Sequence, residues 1–284
     1  MLNQDVVVIN AFTRGGSNIL WNILQSHPDI CSPIYETGQV LYPFKGAWII
    51  GDILRPIYAS EAICKHLLIK LIGPWIDRRL YTFKLKNLNN EDNRYRYENV
   101  PYTKAQLETT TLCLKSIDQD IKLNRLLSTI YEKIAFIGLV RNGYALCEGW
   151  MRRGLSAKSA GILYQSVVDK LLEDKNYYLR HLILRFEDIL TNPFGTAHLL
   201  YKFLKLDPVQ LNKLRLKSKR IINNTGDHKA AFGEENKKYW FNQSEIEKVL
   251  ISDISKTQAN RLSEHDRRQF EAYAKSALQY FNYG

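Results

Sequence analysis

Apolar residues along this chain fall into short unbroken runs separated by segments with helical spacing. Val6–Ile9, Ala135–Val140 and Leu182–Leu184 are short and nearly all apolar, which predicts parallel strands covered on both faces. Thr111–Leu114 is a weaker fourth candidate. Between them, Ser17–Ser26 gathers Ile19, Leu20, Ile23 and Leu24 on one helical face and stops at His27-Pro28. Ile121–Tyr131 carries Leu123, Leu126, Leu127 and Ile130 at the same spacing. Ala197–Leu206 follows Pro193, and Asp266–Phe281 reads as an amphipathic terminal helix. Strand and helix in alternation predict an α/β fold of three layers: a central parallel sheet with right-handed crossovers, flanked by helices.

Residues 42–108 break this rhythm, being rich in aromatic and charged side chains with few strand signals. They predict a mainly helical insertion over an active site, with a polar loop near Asn87–Asn99. No repeat or low-complexity tract divides the chain, so residues 1–284 are expected to form a single domain.

The strand candidates end in polar residues, at the sheet edge where parallel sheets bind ligands. The first runs into Thr13-Arg14-Gly15-Gly16-Ser17-Asn18, the second into Arg141, the third into Arg185-Phe186-Glu187-Asp188, and the fourth ends at Lys115. The first loop has the makings of a phosphate cradle. Two glycines let the backbone curl so that N–H groups point inward, and the loop opens onto a helix N-terminus. It lacks the Gly-Lys-Ser/Thr of nucleoside-triphosphate P-loops.

Charge sharpens this expectation. The chain carries a formal net charge of +11 and a pI near 9.3, a balance that favours anionic ligands. The dense cluster from Lys213 to Arg220 reads as a solvated helix face, and no nucleic-acid-binding motif accompanies it, so no nucleic-acid partner is expected. No apolar run is long enough to span a membrane, and Met1–Asp5 has no basic n-region of a signal peptide. Cys31, Cys64, Cys113 and Cys147 are widely spaced, which fits reduced thiols in a cytoplasmic protein better than disulfides or zinc. No His/Cys/Asp spacing suggests a metal, and His228 alone is not evidence for one.

Taken together and in order, five segments resemble the sulfotransferase family that uses 3′-phosphoadenosine-5′-phosphosulfate (PAPS). They are Thr13–Asn18 with Leu20-Trp21 and His27-Pro28; Tyr35-Glu36-Thr37; Leu114-Lys115-Ser116; Leu139–Gly143; and Leu184–Ile189 with Asn192-Pro193 and Phe203-Leu204. Thr225–Lys229 and Lys237–Trp240 more weakly resemble a late nucleotide-covering loop, within a closing segment 221–284.

The resemblance implies a sulfuryl transfer to a hydroxyl. Arg14 would meet the sulfuryl and bridging oxygens, with Thr13, Gly15, Gly16, Ser17 and Asn18 supplying further donors. Lys115 would stabilise charge on the leaving oxygen, Arg141 would hold the 3′-phosphate, and Lys237 would help cover the nucleotide. Glu36 is the candidate general base, because the histidine that cytosolic members carry two residues after the strand-end lysine is Ile117 here. Gly149 stands where the family places its 3′-phosphate serine, eight residues after the arginine. Ser156, Ser159, Arg152 or Arg153 are the candidate substitutes. Glu187 and Asp188 are expected to cap a turn, and Phe186 to pack. Trp48, Trp75, Tyr95 and Tyr97 suggest a saccharide, an acidic one included, or another hydroxylated metabolite rather than a protein as acceptor. Two other readings stand beside this one: a non-catalytic nucleotide-binding protein on the same fold, and an ATP-dependent phosphotransferase.

Overall fold

The computed structural model describes residues 4–33, 35–41, 60, 67–89, 101–207, 211–222 and 228–283. Its centre is β1 (Val6–Ala11), buried at every position. It pairs in parallel with β3 (Thr111–Ile117) on one side and β4 (Ile134–Val140) on the other. β2 (Ile30–Cys31) and β5 (His181–Arg185) complete a five-stranded parallel sheet of order β2-β3-β1-β4-β5. Valine and isoleucine fill β1 because both its faces are covered.

Side-chain alternation sends the two halves of each strand to different layers. Val7, Ile9, Ala11, Cys113 and Ile137 pack on α1 (Ser17–Leu24) and α9 (Pro193–Leu204). Val6, Val8, Leu112, Leu114 and Phe136 pack on α2 (Thr37–Leu41), α3 (Leu67–Leu85) and α5 (Asn124–Ile130). A further core joins α6 (Gly143–Met151), α7 (Ala157–Tyr177) and α12 (Glu264–Tyr280). α4 (Lys104–Thr109) and α8 (Phe186–Thr191) lead out of the insertion and out of β5. The last stretch adds two antiparallel pairs, β6 (Leu214–Lys217) with β9 (Lys238–Phe241) and β7 (Arg220–Ile222) with β8 (His228–Ala230). α10 (Gln243–Val249) and α11 (Ile254–Ala259) follow.

The expected α/β architecture and all four strands are present, with Thr111–Ile117 a full central strand. Three expectations need correction. Lys213–Arg220 is not a solvated helix face: Leu214 and Leu216 point into the core from a strand, and Arg215 between them, on the other side of that strand, is itself buried. Ile121–Tyr131 is a 3₁₀ turn over Asp118–Leu123 followed by α5. Glu187 does not cap its own turn. Its carboxylate accepts from the Asn142 N–H at 3.1 Å and from the Tyr283 hydroxyl at 2.5 Å, tying the end of β4 to the C-terminus.

Of the insertion, the described residues form α3, a 3₁₀ turn at Lys86–Asn89, which takes the start of the stretch expected as a polar loop, and α4. Trp48, Tyr95, Tyr97 and most of the polar loop lie outside the described residues, as do Cys64 and Thr225–Asp227. Cys31, Cys113 and Cys147 are buried free thiols. Among the described residues no helix is long and apolar enough to cross a membrane, and no cluster of His, Cys, Asp and Glu could hold a metal ion.

Candidate active site

The loop after β1 curls tightly. Gly15 donates its N–H to Phe12 at 2.9 Å, and Arg14 and Gly16 both adopt positive φ, 69° and 87°. Gly16 is required twice over. Its backbone is left-handed, and a Cβ there would come within 2.2 Å of the Phe186 ring. Gly16 also starts α1, whose N-terminus has no side-chain cap and no acidic residue in its first turn. Its first N–H groups therefore stay available, at the positive end of the helix dipole.

Three contacts fix the loop from below. Thr13 donates its N–H and hydroxyl to Asp118 at 2.9 and 2.5 Å. The Trp150 indole donates to the Thr13 carbonyl at 2.9 Å. Arg141, only 7% exposed, donates to the Arg14 carbonyl at 2.8 Å, to Ser255 Oγ at 3.1 Å and to Gln258 Oε1 at 2.5 Å. Its guanidinium lies 4.7 Å above the Phe186 ring. Burial lowers the Arg141 pKa to about 10, with Glu187 opposing the shift and Arg14 adding to it. Burial likewise pushes the Asp118 carboxyl upward, against the pull of the two Thr13 bonds.

Two groups of cations flank the loop. On one side, the Arg14 guanidinium is held below its ordinary value by burial and by the like charges of Arg153 and Arg152. Among the described residues no carboxylate pairs with Arg14 or Arg153. Arg152 does have a partner: Glu148, on α6, binds it at 2.9 Å. Gly149 lies buried on the same helix, and a Cβ placed there meets nothing within 4 Å. Ser156 and Ser159 are engaged with each other at the start of α7.

On the other side is Lys115, 3% exposed at the end of β3. Its ammonium lies 2.9 Å from Asn18 Oδ1, 3.0 Å from Glu36 Oε1 and 4.3 Å above the Trp21 ring. Trp21 is fixed in turn by its N–H to Ser32 Oγ at 2.7 Å. Glu36 is more open, with 39% of its side chain exposed. Lys219 comes close enough that Lys115 and Lys217, after burial, lower its pKa.

The structure thus brings Glu36, Lys115 and Asn18 into direct contact and sets Arg14, Gly15, Gly16 and Ser17 in one curl. It does not bring in Lys237, which is exposed and paired with Glu234 at 2.6 Å. Trp21 and Asp118 escaped the sequence reading as site residues. Each acts on a partner about a hundred positions away, and no local pattern marks such a contact.

The architecture is shared with solved structures. A sulfotransferase domain from the olefin synthase of Synechococcus PCC 7002 superposes with a TM-score of 0.51 at 16% identity, covering 96% of this chain and 96% of that one. A sulfotransferase domain from the curacin biosynthetic pathway gives a TM-score of 0.50 at 17% identity, covering 96% and 98%. The chain has the sulfotransferase fold. No family model matches it, and no curated protein matches it in sequence.

Gly16→Ala is expected to lower thermal stability by at least ~2 kcal/mol, from left-handed strain plus the clash with Phe186. In a Phe186→Ala background the same substitution should cost measurably less. Equal costs in both backgrounds would show that the ring does not set the requirement.

Proposed function

We propose that this protein is a sulfotransferase that moves a sulfuryl group from PAPS to a hydroxyl acceptor. The observation that carries the reading is the Glu36–Lys115–Asn18 contact beside the uncapped start of α1. The residues present fit a nucleotide with two anionic ends. The curl and the α1 N-terminus offer N–H donors to one end; Arg14, expected from the sequence at the sulfuryl oxygens, is assigned here with its neighbour Arg153 to the other end, where the two offer charge that no carboxylate matches among the described residues. Gly149, where a Cβ would meet nothing within 4 Å, lies on α6, the helix that runs into Arg152 and Arg153. There Arg14 and Arg153 take over from the missing serine, and Arg141 acts through the Arg14 carbonyl that it holds.

PAPS, when bound, supplies a sulfuryl group already activated by its phosphosulfate link. Glu36 takes the proton from the acceptor hydroxyl as the new oxygen–sulfur bond forms. Lys115 stabilises the charge left on the phosphate oxygen as the old sulfur–oxygen bond breaks. An ammonium has three donors, and Asn18 and Glu36 use two, so one remains for that oxygen. A saccharide is the favoured acceptor, since Tyr35, next to Glu36 in the chain, presents an exposed ring and Trp75 presents another on α3. The buried free thiols support a reducing, cytoplasmic setting. A nucleotide-binding protein without transfer activity is the second reading, motivated by Gly149. Tight nucleotide binding with no transfer to any acceptor would favour it.

Calorimetry with adenosine 3′,5′-bisphosphate is expected to show Arg14→Ala binding about tenfold or more weaker than the parent. Unchanged affinity would remove Arg14 from the site. Glu36→Gln should keep nucleotide affinity and lose about a hundredfold or more in turnover; turnover at the parental rate would exclude it as base. Gly149→Ser should fold normally and tighten binding by roughly the ~1 kcal/mol of one hydrogen bond. Weaker binding in a folded Gly149→Ser variant would place the 3′-phosphate elsewhere.

A further inference from the structure

On the face of the sheet opposite α1, three buried side chains carry polar atoms that bond nothing in the protein. Asn10 and Ser116 are fully buried, and Thr37 is 1% exposed. Among the described residues, Asn10 Oδ1 and Nδ2, Ser116 Oγ and Thr37 Oγ1 have no hydrogen-bond partner. The proposed transfer chemistry uses none of them.

The fold gathers these side chains in one layer. Asn10 and Ser116 are register partners on the adjacent parallel strands β1 and β3, whose backbones lie about 4.8 Å apart. Alternation puts Asn10 on the side of Val6 and Val8, and Ser116 on the side of Leu112 and Leu114. Thr37 opens α2 one helical turn before Val40 and Leu41, which pack into that same layer. Glu36 and Lys115, the residues just before Thr37 and Ser116, are in contact at 3.0 Å. Thr37 and Ser116 are therefore the next positions inward from the candidate base and its ammonium partner.

A buried donor or acceptor without a partner costs about 1–3 kcal/mol. Four such atoms would cancel a large share of the ~5–15 kcal/mol that keeps an ordinary domain folded. Whatever satisfies them must both donate and accept, since Asn10 presents one group of each kind and a hydroxyl does either. It must also be small, because side chains this deeply buried admit no larger solute. Polar neighbours that do not bond each other directly call for a bridging molecule.

We propose that Asn10, Ser116 and Thr37 hold one or two ordered water molecules in the core, and that this bridge pins α2 to the sheet so that Glu36 stays in reach of Lys115. α2 is five residues long, too short to keep its place unaided. Glu36 moves with its first turn: the Glu36 carbonyl accepts from the Val40 N–H at 3.0 Å, and the Glu36 N–H donates to Gln39 Oε1 at 3.2 Å. Arg79 holds the far end of α2 by donating to the Val40 carbonyl. The water bridge holds the near end. Thr37 is thus a positioning residue, and its bearing on transfer rests on the sulfotransferase reading above.

A crystal structure of the parent is expected to show water within about 2.7–3.2 Å of Asn10, Ser116 Oγ and Thr37 Oγ1. Thr37→Val keeps the side-chain shape and removes the hydroxyl. It should lose the bridge, lower the thermal midpoint by about 2 °C or more, and carry the Glu36 carboxylate out of contact with Lys115. Thr37→Ser, which supplies a hydroxyl again, should bring back both the water and the contact. Ser116→Ala should lower the midpoint as Thr37→Val does. Direct bonds among the three side chains, with no water between them, would overturn the inference. So would midpoints in Thr37→Val and Ser116→Ala at or above the parent's, the outcome for atoms that had no partner to lose. Loss of the water in Thr37→Val with Glu36 still on Lys115 would overturn the positioning role. A parent that holds the water but fails to bind adenosine 3′,5′-bisphosphate would strike the sulfotransferase reading alone. One that binds the nucleotide and lacks the water would strike this inference alone.

Discussion

One buried guanidinium holds the candidate site together. Arg141 leaves the end of β4 and bonds the Arg14 carbonyl, Ser255 and Gln258 at once, with the Phe186 ring beneath it. Each hydrogen bond to a charged group contributes about 1.5–3 kcal/mol, enough to outweigh the ~1–2 kcal/mol strain of a left-handed Arg14. The same contacts join three distant segments: the loop after β1, the start of α8, and α11 near the C-terminus. Phe186 serves both partners, supporting Arg141 and filling the space that only a glycine at position 16 leaves open. Arg141 therefore shapes the cradle from beneath, while the exposed charge belongs to Arg14 and its neighbours.

The cations on the two sides of that loop differ in how they are matched. Lys115 has a carboxylate, an amide oxygen and an indole face, which fix its position and leave one N–H to give. Arg14 and Arg153 have no carboxylate partner among the described residues, and burial together with their mutual repulsion disfavours the charge on Arg14, a cost that a bound anion would relieve. A fixed ammonium suits charge that develops during a reaction. Unmatched arginines suit charge that is already present on a ligand. The division agrees with a nucleotide gripped at one end and reacted at the other.

Much of the fold was legible because the strands that matter are buried on both faces and read as apolar runs. β2 was not, since two residues carry no periodicity. α7 escaped because its apolar stripe is diluted by Lys158, Gln165, Asp169, Lys170 and Glu173, and by Asp174 on the buried side itself. The Lys213–Lys219 stretch alternates basic and other residues with the period of a strand, and the density of its charge obscured that alternation. For the candidate site, loop chemistry and resemblance put forward Arg14, Glu36 and Lys115, of which Glu36 and Lys115 are in contact. The inward role of Arg141 was not, because residue type and strand-end position do not reveal which way a guanidinium turns. Two of its acceptors lie 114 and 117 positions further along the chain and the third lies 127 positions before it.

The most direct test is a crystal structure of the protein with adenosine 3′,5′-bisphosphate. The account requires the 5′-phosphate at the start of α1, within hydrogen-bond distance of the Gly16–Asn18 amides and of Lys115 Nζ. The 3′-phosphate should lie against Arg14 and Arg153 beside Gly149. A nucleotide bound away from the α1 N-terminus, or one whose phosphates leave Lys115 and Arg14 untouched, would contradict it.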